Sequence, residues 1–239
     1  MSGSSTTFVK SDPAPLEAAG LRWLADAGAR VPAILSESPE RLVLQRIEPG
    51  HLSTDGEEEL GRMLARMHAA GAPAFGSLPA RGPFLVGRCE VPSPEGDEWN
   101  AYYLEHRLLP LARRVGLERE VEQVRVDAPV EPPARLHGDL WSGNVLADRH
   151  GRPWLIDPAA YGGHREMDLA MLSLFGQVPP RTLSSYDEVH PLADGWRDRI
   201  GLWQLFPLLV HAVLFGGGYL ARSRDLGAAA VLTAGCRAW

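Results

Sequence analysis

The spacing of apolar residues divides the N-terminal part of the chain into strands and amphipathic helices. TTFVK at 6–10 and RLVLQRI at 41–47 predict two short strands. Residues 15–28 place their apolar side chains on one face of a helix. A further helix is predicted to begin at a capping box of Thr54 and Glu57, with an apolar face formed by Leu60, Met63, Leu64 and Met67.

The later part of the chain reads as mainly helical. Residues 76–97 are rich in glycine and proline and predict a loop, whereas 98–125 return to a helical period that Pro110 is expected to kink or divide. NVLAD and PWLID flank RHGR, which predicts a β-hairpin. The rest of the chain is predicted to be helical apart from a loop at 177–193.

Together these elements predict an α+β fold with two unequal lobes. The predicted N-terminal lobe, 1–48, contains strands and one helix. A hinge at 48–50 would lead to a larger helical C-terminal lobe, 49–239, that carries the hairpin.

One apolar stretch, at 202–221, is long enough to span a membrane. It contains Gln204, Pro207 and His211, and also three consecutive glycines at 216–218. Because polar groups and helix breakers are costly in lipid, we predict a buried helix that is interrupted near the glycines, and no membrane partner.

Composition narrows the possible classes of function. The chain has 239 residues, of which 45% are hydrophobic, enough for a substantial core. The formal net charge of −6 gives no sign of the basic surface that binds nucleic acid. Cys89 and Cys236 form no CxxC pair, and residues 1–10 lack the apolar core of a signal peptide. We therefore expect a cytoplasmic protein that binds no nucleic acid.

The densest chemical signal is RLHGDLWSGNVLADRHGRPWLIDPA at 135–159. Asp139 precedes Asn144 by five positions, and Asp157 follows thirteen positions later at the end of the predicted hairpin. This spacing matches the H-R-D-x-x-x-x-N pattern of protein kinases and their later metal-binding aspartate. Loop capping is the alternative for Asp139 and Asn144, and a turn position is the alternative for Asp157. The complete spacing favours a functional site.

Phosphoryl transfer explains why these residue types occur together. Mg²⁺ prefers oxygen ligands and usually binds one or two carboxylates together with substrate phosphates, which suits Asn144 and Asp157. Asp139 is suited to accept the proton of an attacking hydroxyl group. Lys10 is the only lysine in the sequence and ends a predicted strand, and Glu17 lies early in the next predicted helix. We expect Lys10 to bind ATP phosphates while Glu17 holds it in position.

The segments LHGDLWSGN and IDPAAYGGHREMDLAM resemble the fructosamine kinase (ketosamine 3-kinase) family, a branch of the aminoglycoside-phosphotransferase-like kinases. FVK, EAAGLRWL, EHRLLP and LFGGGYL support the resemblance, which covers about residues 8–225. It implies a protein-kinase-like, two-lobed fold that uses ATP and Mg²⁺ to phosphorylate the 3-hydroxyl of a ketosamine, a sugar-amine adduct that is free or on a glycated protein. The phosphorylated product is unstable, which links the family to protein deglycation.

The resemblance also implies roles for residues outside the phosphate site. Backbone groups between Gln45 and Ile47 would contact adenine, and the indole of Trp141 would lie against the sugar. His137 and Asp168 would brace the catalytic loop. For the phosphate site, the resemblance implies the roles already expected for Asp139, Asn144, Asp157, Lys10 and Glu17.

The N-terminus departs from the family pattern. Family members carry two strands and a glycine-rich turn before the lysine, whereas only nine residues precede Lys10. We therefore expect either a truncated N-terminal β lobe or a true start upstream. The alternatives are a related kinase for an aminoglycoside or choline-like acceptor, and a pseudokinase without the glycine-rich lid. Residues 76–97 lack the dense acidic cluster expected for a polycationic antibiotic, and the complete set of Asp139, Asn144 and Asp157 argues against a pseudokinase.

Overall fold

The computed structural model describes residues 7–11 and 14–235. Three antiparallel strands form an N-terminal sheet in the order β1-β3-β2, and helix α1 packs on it through Ala18 and Leu21. The predicted strands and helix of this region are confirmed. Their bounds are Thr7–Lys10 for β1, Ala14–Asp26 for α1, Ile34–Ser38 for β2 and Arg41–Gln45 for β3.

One strand of this sheet was not predicted, and the N-terminal region in which a glycine-rich lid is expected to be missing is only partly described. Strand β2 was not predicted, because only Ile34 is partly buried and the four following residues are exposed, so ILSES shows no apolar alternation. The expected lack of a glycine-rich lid concerns residues 1–9, and 1–6 lie outside the described residues.

Helix α2, Thr54–Ala69, is confirmed, and its predicted apolar face is buried. The predicted capping box is wrong by one residue. Ser53 is the N-cap, and its hydroxyl oxygen accepts a hydrogen bond from the Gly56 N–H at 3.0 Å. Adjacent Ser53 and Thr54 are both good cap residues, so the sequence alone does not distinguish them.

Helix α7, Pro180–Val189, packs along α2 where the sequence predicted a loop at 177–193. Proline in the first turn imitates a loop signal, although a helix tolerates it there because the first N–H groups need no partner. Gly61 of α2 allows the close approach, since a Cβ at this position would collide with the carbonyl oxygen of Thr182.

The segment 76–97 is more regular than predicted, and the segment 98–125 is more divided. The predicted loop contains an antiparallel hairpin whose strands are too short to show a period. Pro110 lies in the first turn of a new helix, as expected for a residue that divides the stretch. The elements are β4 at Phe84–Val86, β5 at Cys89–Val91, α3 at Trp99–Tyr102, a π-helix at Tyr103–Leu108, α4 at Leu109–Val115 and α5 at Glu118–Val121.

Two short antiparallel pairs carry the motif at 135–159. The predicted hairpin is confirmed as β7 with β8, and an outer pair, β6 with β9, was missed because each strand has only three residues. The bounds are Ala134–Leu136 for β6, a 3-10 turn at Ser142–Asn144, Val145–Ala147 for β7, Pro153–Leu155 for β8, Tyr161–Gly163 for β9 and Glu166–Leu172 for α6.

The apolar stretch forms a core helix, as predicted. Helix α8, Trp196–Phe215, is the one helix of the described residues that is long and apolar enough to cross a membrane, and 56% of its most apolar window is buried inside the protein. It packs on α4 and α6. Gly216, at φ 63°, ends it, and α9 follows at Gly218–Gly235, so the predicted interruption is confirmed.

Candidate active site

Asp168 of α6 holds the start of the loop between β6 and β7. Its carboxylate accepts hydrogen bonds from the backbone N–H groups of His137 at 2.7 Å and Gly138 at 2.9 Å. The buried His137 ring donates through Nε2 to the carbonyl of Ile156 at 2.9 Å, and burial lowers its pKa. A neutral imidazole and a carboxylate therefore join this loop to α6 and to the segment after β8.

Gly138 allows this loop to approach the segment that follows Asp157. Its φ is +80°, and a Cβ at this position would collide with the carbonyl oxygen of Ala159. The next residue, Asp139, faces a cleft between these segments and α1.

Asn144 contacts Asp139 across the 3-10 turn. Its Nδ2 donates to the Asp139 carbonyl at 2.7 Å and to Asp139 Oδ2 at 3.0 Å. Burial raises the pKa of Asp139, and the nearby His137, the hydrogen bond from Asn144 and the nearby His211 oppose this rise. The side chain is thus a carboxylate with increased basicity, aimed into a cleft.

Lys10 lies between two carboxylates. Its Nζ is 2.8 Å from Glu17 Oε1 and also contacts the Asp157 carboxylate, 147 positions away in the sequence. Burial raises the pKa of Glu17, and the hydrogen bond from Lys10 opposes that rise. Asp157 has a φ of 56° and is the only non-glycine residue with positive φ among the described residues. This conformation requires support from its surroundings.

A cleft of about 280 Å³ brings these groups together. Lys10, Glu17, Asp139 and Asp157 provide its charged side. The other lining residues are mostly apolar and come from the β4–β5 hairpin region, the segment after Asp157 and α1: Leu78, Pro79, Ala80, Pro83, Phe84, Leu85, Gly87, Pro158, Ala159, Ala160 and Leu16. The contribution of the hairpin to the cleft was not predicted, because the glycine- and proline-rich segment 76–97 was predicted to be a loop.

The residues present fit Mg²⁺. The Asn144 amide nitrogen is committed to Asp139, which leaves the amide oxygen as the group available for a cation. With the Asp157 carboxylate, this makes a set of hard oxygen donors. No group of three or more His, Cys, Asp or Glu side chains suited to a metal occurs in the described part of the chain. Mg²⁺ needs no such group when substrate phosphates supply the remaining ligands.

Six predicted site residues do not line the cleft: His137, Asn144 and Asp168, which hold the Asp139 loop, and Gln45, Ile47 and Trp141. The Gln45 N–H donates to the Ala33 carbonyl at 2.8 Å, so it is already engaged. Ile47 follows the end of β3 and has no backbone hydrogen bond within the described residues. Trp141 is 37% exposed and contacts Phe175 edge-to-face at a centroid distance of 6.0 Å.

Sequence reasoning missed the buried polar network behind Asp168. His68 contacts Asp168 Oδ2 through Nε2 at 3.2 Å and the Tyr186 hydroxyl through Nδ1 at 2.8 Å. Both partners are distant in sequence, so only the packing of α2 against α6 and α7 brings them together. His68 lies on the buried face of α2, and this position is the one sign in the sequence that its side chain would be buried.

Comparison with known proteins identifies the family. The sequence model of the family described as fructosamine kinase matches residues 8–229. The chain belongs to the fructosamine kinase family. It is 41% identical over 219 residues to a Thermus thermophilus protein named "Probable ketoamine kinase", covering 87% of this chain and 80% of that protein. A Synechocystis protein of the same name is 35% identical over 247 residues, covering 94% and 82%.

Solved structures agree with this assignment. A Thermobifida fusca protein described as a fructosamine-3-kinase superposes with a TM-score of 0.85 at 39% identity, over 95% of this chain and 85% of that one. An aminoglycoside kinase solved with streptomycin and ATP has a TM-score of 0.59 at 14% identity, over 95% and 84%, and shares the fold alone. The predicted family and the α+β, protein-kinase-like fold are confirmed. As a fructosamine kinase, the chain is an enzyme that transfers phosphate to a sugar hydroxyl.

Proposed function

We propose that this fructosamine kinase transfers the γ-phosphate of ATP to the 3-hydroxyl of the sugar part of a ketosamine, with Mg²⁺ as cofactor. The observation that carries the proposal is the convergence of Lys10, Asp139 and Asp157 on one cleft. The acceptor oxygen forms a bond to the γ-phosphorus, the bond to the bridging oxygen breaks, and ADP leaves.

Asp139 accepts the proton that the acceptor hydroxyl loses. Its raised pKa supports this role, because a more basic carboxylate is a better proton acceptor. The Asn144 hydrogen bond holds Oδ2 in place, so the second carboxylate oxygen is the one that faces the substrate. His137 and Asp168 act as positioning residues through their hydrogen bonds to this loop.

The other charged groups bind the phosphates. Lys10 neutralises phosphate charge, and its ion pair with Glu17 fixes the ammonium group at the cleft. Asn144 and Asp157 would hold Mg²⁺, which when bound would supply positive charge next to the transferred phosphate. The contact between Lys10 and Asp157 supports a common phosphate site, since both side chains reach the same point.

The remaining predicted residues bind the rest of the two substrates. The backbone N–H and carbonyl of Ile47, which have no hydrogen-bond partner within the described residues, contact adenine, whereas Gln45 contributes only its carbonyl because its N–H is engaged. Trp141 binds a face of the sugar. In this proposal residues 1–48 form the nucleotide-binding lobe, and residues 49–239 form the catalytic and acceptor-binding lobe.

The acceptor is a ketosamine, either a free amino-acid adduct or a glycated lysine of a protein. The family and the names of the relatives support a ketosamine acceptor. Phosphorylation at the 3-hydroxyl makes the adduct unstable, so the activity would contribute to protein deglycation. We propose that it acts in the cytoplasm, where ATP is supplied. Aminoglycoside and choline kinases share only the fold at 13–18% identity, which supports no second acceptor.

The test is Mg-ATP turnover by the purified chain with fructose-lysine and ribulose-lysine. We expect ADP release that depends on the sugar adduct. Asp139→Asn should lower kcat by about 100-fold to 10,000-fold, because it removes the proton acceptor. Lys10→Arg should lower activity because a planar guanidinium cannot replace a compact ammonium group between two carboxylates. Asp26→Asn, an exposed change on α1, is the control. Undiminished turnover in Asp139→Asn would contradict the proposed mechanism.

A further inference from the structure

Five aromatic rings form a continuous surface that begins two residues after Asp139. We call it the aromatic row, and it consists of Trp141, Phe175, His211, Phe215 and Tyr219. The centroid of Phe175 lies 6.0 Å from that of Trp141 and 5.7 Å from that of His211. His211 in turn lies 5.8 Å from Phe215 and 4.9 Å from Tyr219.

The row is unusually exposed for so many rings. Trp141, Phe175 and Phe215 are 37%, 42% and 68% exposed. Isolated exposed apolar residues are common on protein surfaces, whereas contiguous ones mark binding sites. Among the described residues, Phe8 is the only other aromatic residue in the exposed group, and it lies on β1. The exposed aromatic surface is thus concentrated at one place.

The row is physically continuous with the catalytic loop. The backbone N–H of Trp141 donates a hydrogen bond to the backbone carbonyl of Asp139 at 3.0 Å. The Trp141 ring lies over Gly143, where a Cβ would collide with it. His211 is close enough to Asp139 to oppose the rise in its pKa, and its Nδ1 donates to the Pro207 carbonyl at 2.6 Å. Both inner rings are therefore held in place beside the proposed base.

We propose that the aromatic row binds the amine part of the ketosamine and selects adducts whose amine carries an aromatic or large apolar group. This inference rests on the proposed function. With the sugar hydroxyl at Asp139 and the sugar face on Trp141, the amine substituent extends along the row to Phe175 and Phe215. A flat apolar group would gain the most binding free energy there, because it can pack against several rings at once and aromatic rings pack favourably against one another.

The test compares two acceptors with the same sugar, the fructose adducts of phenylalanine and of glycine. Phe175→Ala and Phe215→Ala each remove one ring from an exposed position, which keeps the core intact. Leu35→Ala on β2 is the matched control, because Leu35 is 54% exposed and outside the row. The readout is the ratio of kcat/KM for the phenylalanine adduct to kcat/KM for the glycine adduct.

We expect each ring removal to lower this ratio about twofold to tenfold, through KM for the phenylalanine adduct. Leu35→Ala should leave the ratio unchanged. An unchanged ratio in both Phe variants, with turnover retained, would overturn the inference alone. A wild type inert toward both adducts would overturn the proposed function and the inference with it. If Phe215→Ala instead converts a dimer to a monomer in light scattering while the ratio stays constant, the row is a subunit contact and the inference is wrong.

Discussion

Asp168→Asn tests whether one buried carboxylate positions the loop that carries Asp139, the proposed base. Asp168 is 1% exposed and accepts three hydrogen bonds, from the His137 N–H, the Gly138 N–H and the His68 ring. Asparagine has nearly the same shape but only one acceptor oxygen. Its NH₂ group must therefore face one of the two backbone N–H groups, which leaves a buried donor without a partner.

The expected cost follows from this geometry. Loss of one buried, charge-assisted hydrogen bond costs about 1.5–3 kcal/mol, which in a chain of this length lowers Tm by about 3–12 °C. The displaced N–H belongs to the loop that carries Asp139. A small displacement of that carboxylate should lower kcat by about tenfold to 100-fold, while KM for ATP changes little.

The assay is thermal unfolding followed by circular dichroism, together with steady-state kinetics on the same preparations. Asp26→Asn makes the same chemical change at an exposed position of α1, and its free energy of unfolding should stay within about 0.5 kcal/mol of wild type. If Asp168→Asn melts within the error of the control and keeps its kcat, these hydrogen bonds do not position the loop. A stability loss with normal kcat would assign Asp168 to folding alone.

Two further predictions concern the same loop. Because burial raises the pKa of Asp139 above its ordinary value of 3.8, ionisation of this group opposes folding, and the penalty grows as the pH rises above that value. Asp139→Asn should therefore raise Tm relative to wild type more at pH 7 than at pH 4, and an equal difference at both pH values would contradict this cause. Gly138→Ala should abolish activity and lower Tm far more than Gly28→Ala. Both residues have positive φ, but at Gly28 nothing lies within 4 Å of a new Cβ. Gly28→Ala therefore carries only the backbone strain of a left-handed alanine, about 1–2 kcal/mol. Equal Tm losses would show that contact with Ala159 is unimportant.

The sequence predicted elements well where periodicity is long and poorly where it is short. Helices α1 and α2 span several turns, so their apolar faces can be recognised in the sequence, and α8 was predicted from its long apolar stretch. Strands β4, β5, β6 and β9 have three residues each, which cannot show a period. Helix α7 was missed because prolines open it, and β2 was missed because it is largely exposed.

The residues of the proposed active site could be recognised in the sequence, since Asp139, Asn144 and Asp157 lie within nineteen residues and a hairpin joins them. Local spacing suffices there because the chain itself limits how far apart these groups can be. The contact of His68 with Asp168, the place of Phe84 in the cleft lining and the aromatic row could not be recognised in the sequence. Each joins residues from separate elements, and no local pattern records which elements will pack together.

The sequence by itself therefore determined the residue types of the site, their local geometry and the family. Only the tertiary structure decided that Lys10 meets Asp157 across 147 positions and that Asp168 reaches a loop 31 positions before it. The tertiary structure alone also joined Trp141 to Phe175 and to the end of α8. The physical reason is that a charge or a ring acts over a few ångströms, and helix and sheet packing sets those distances between remote parts of the chain.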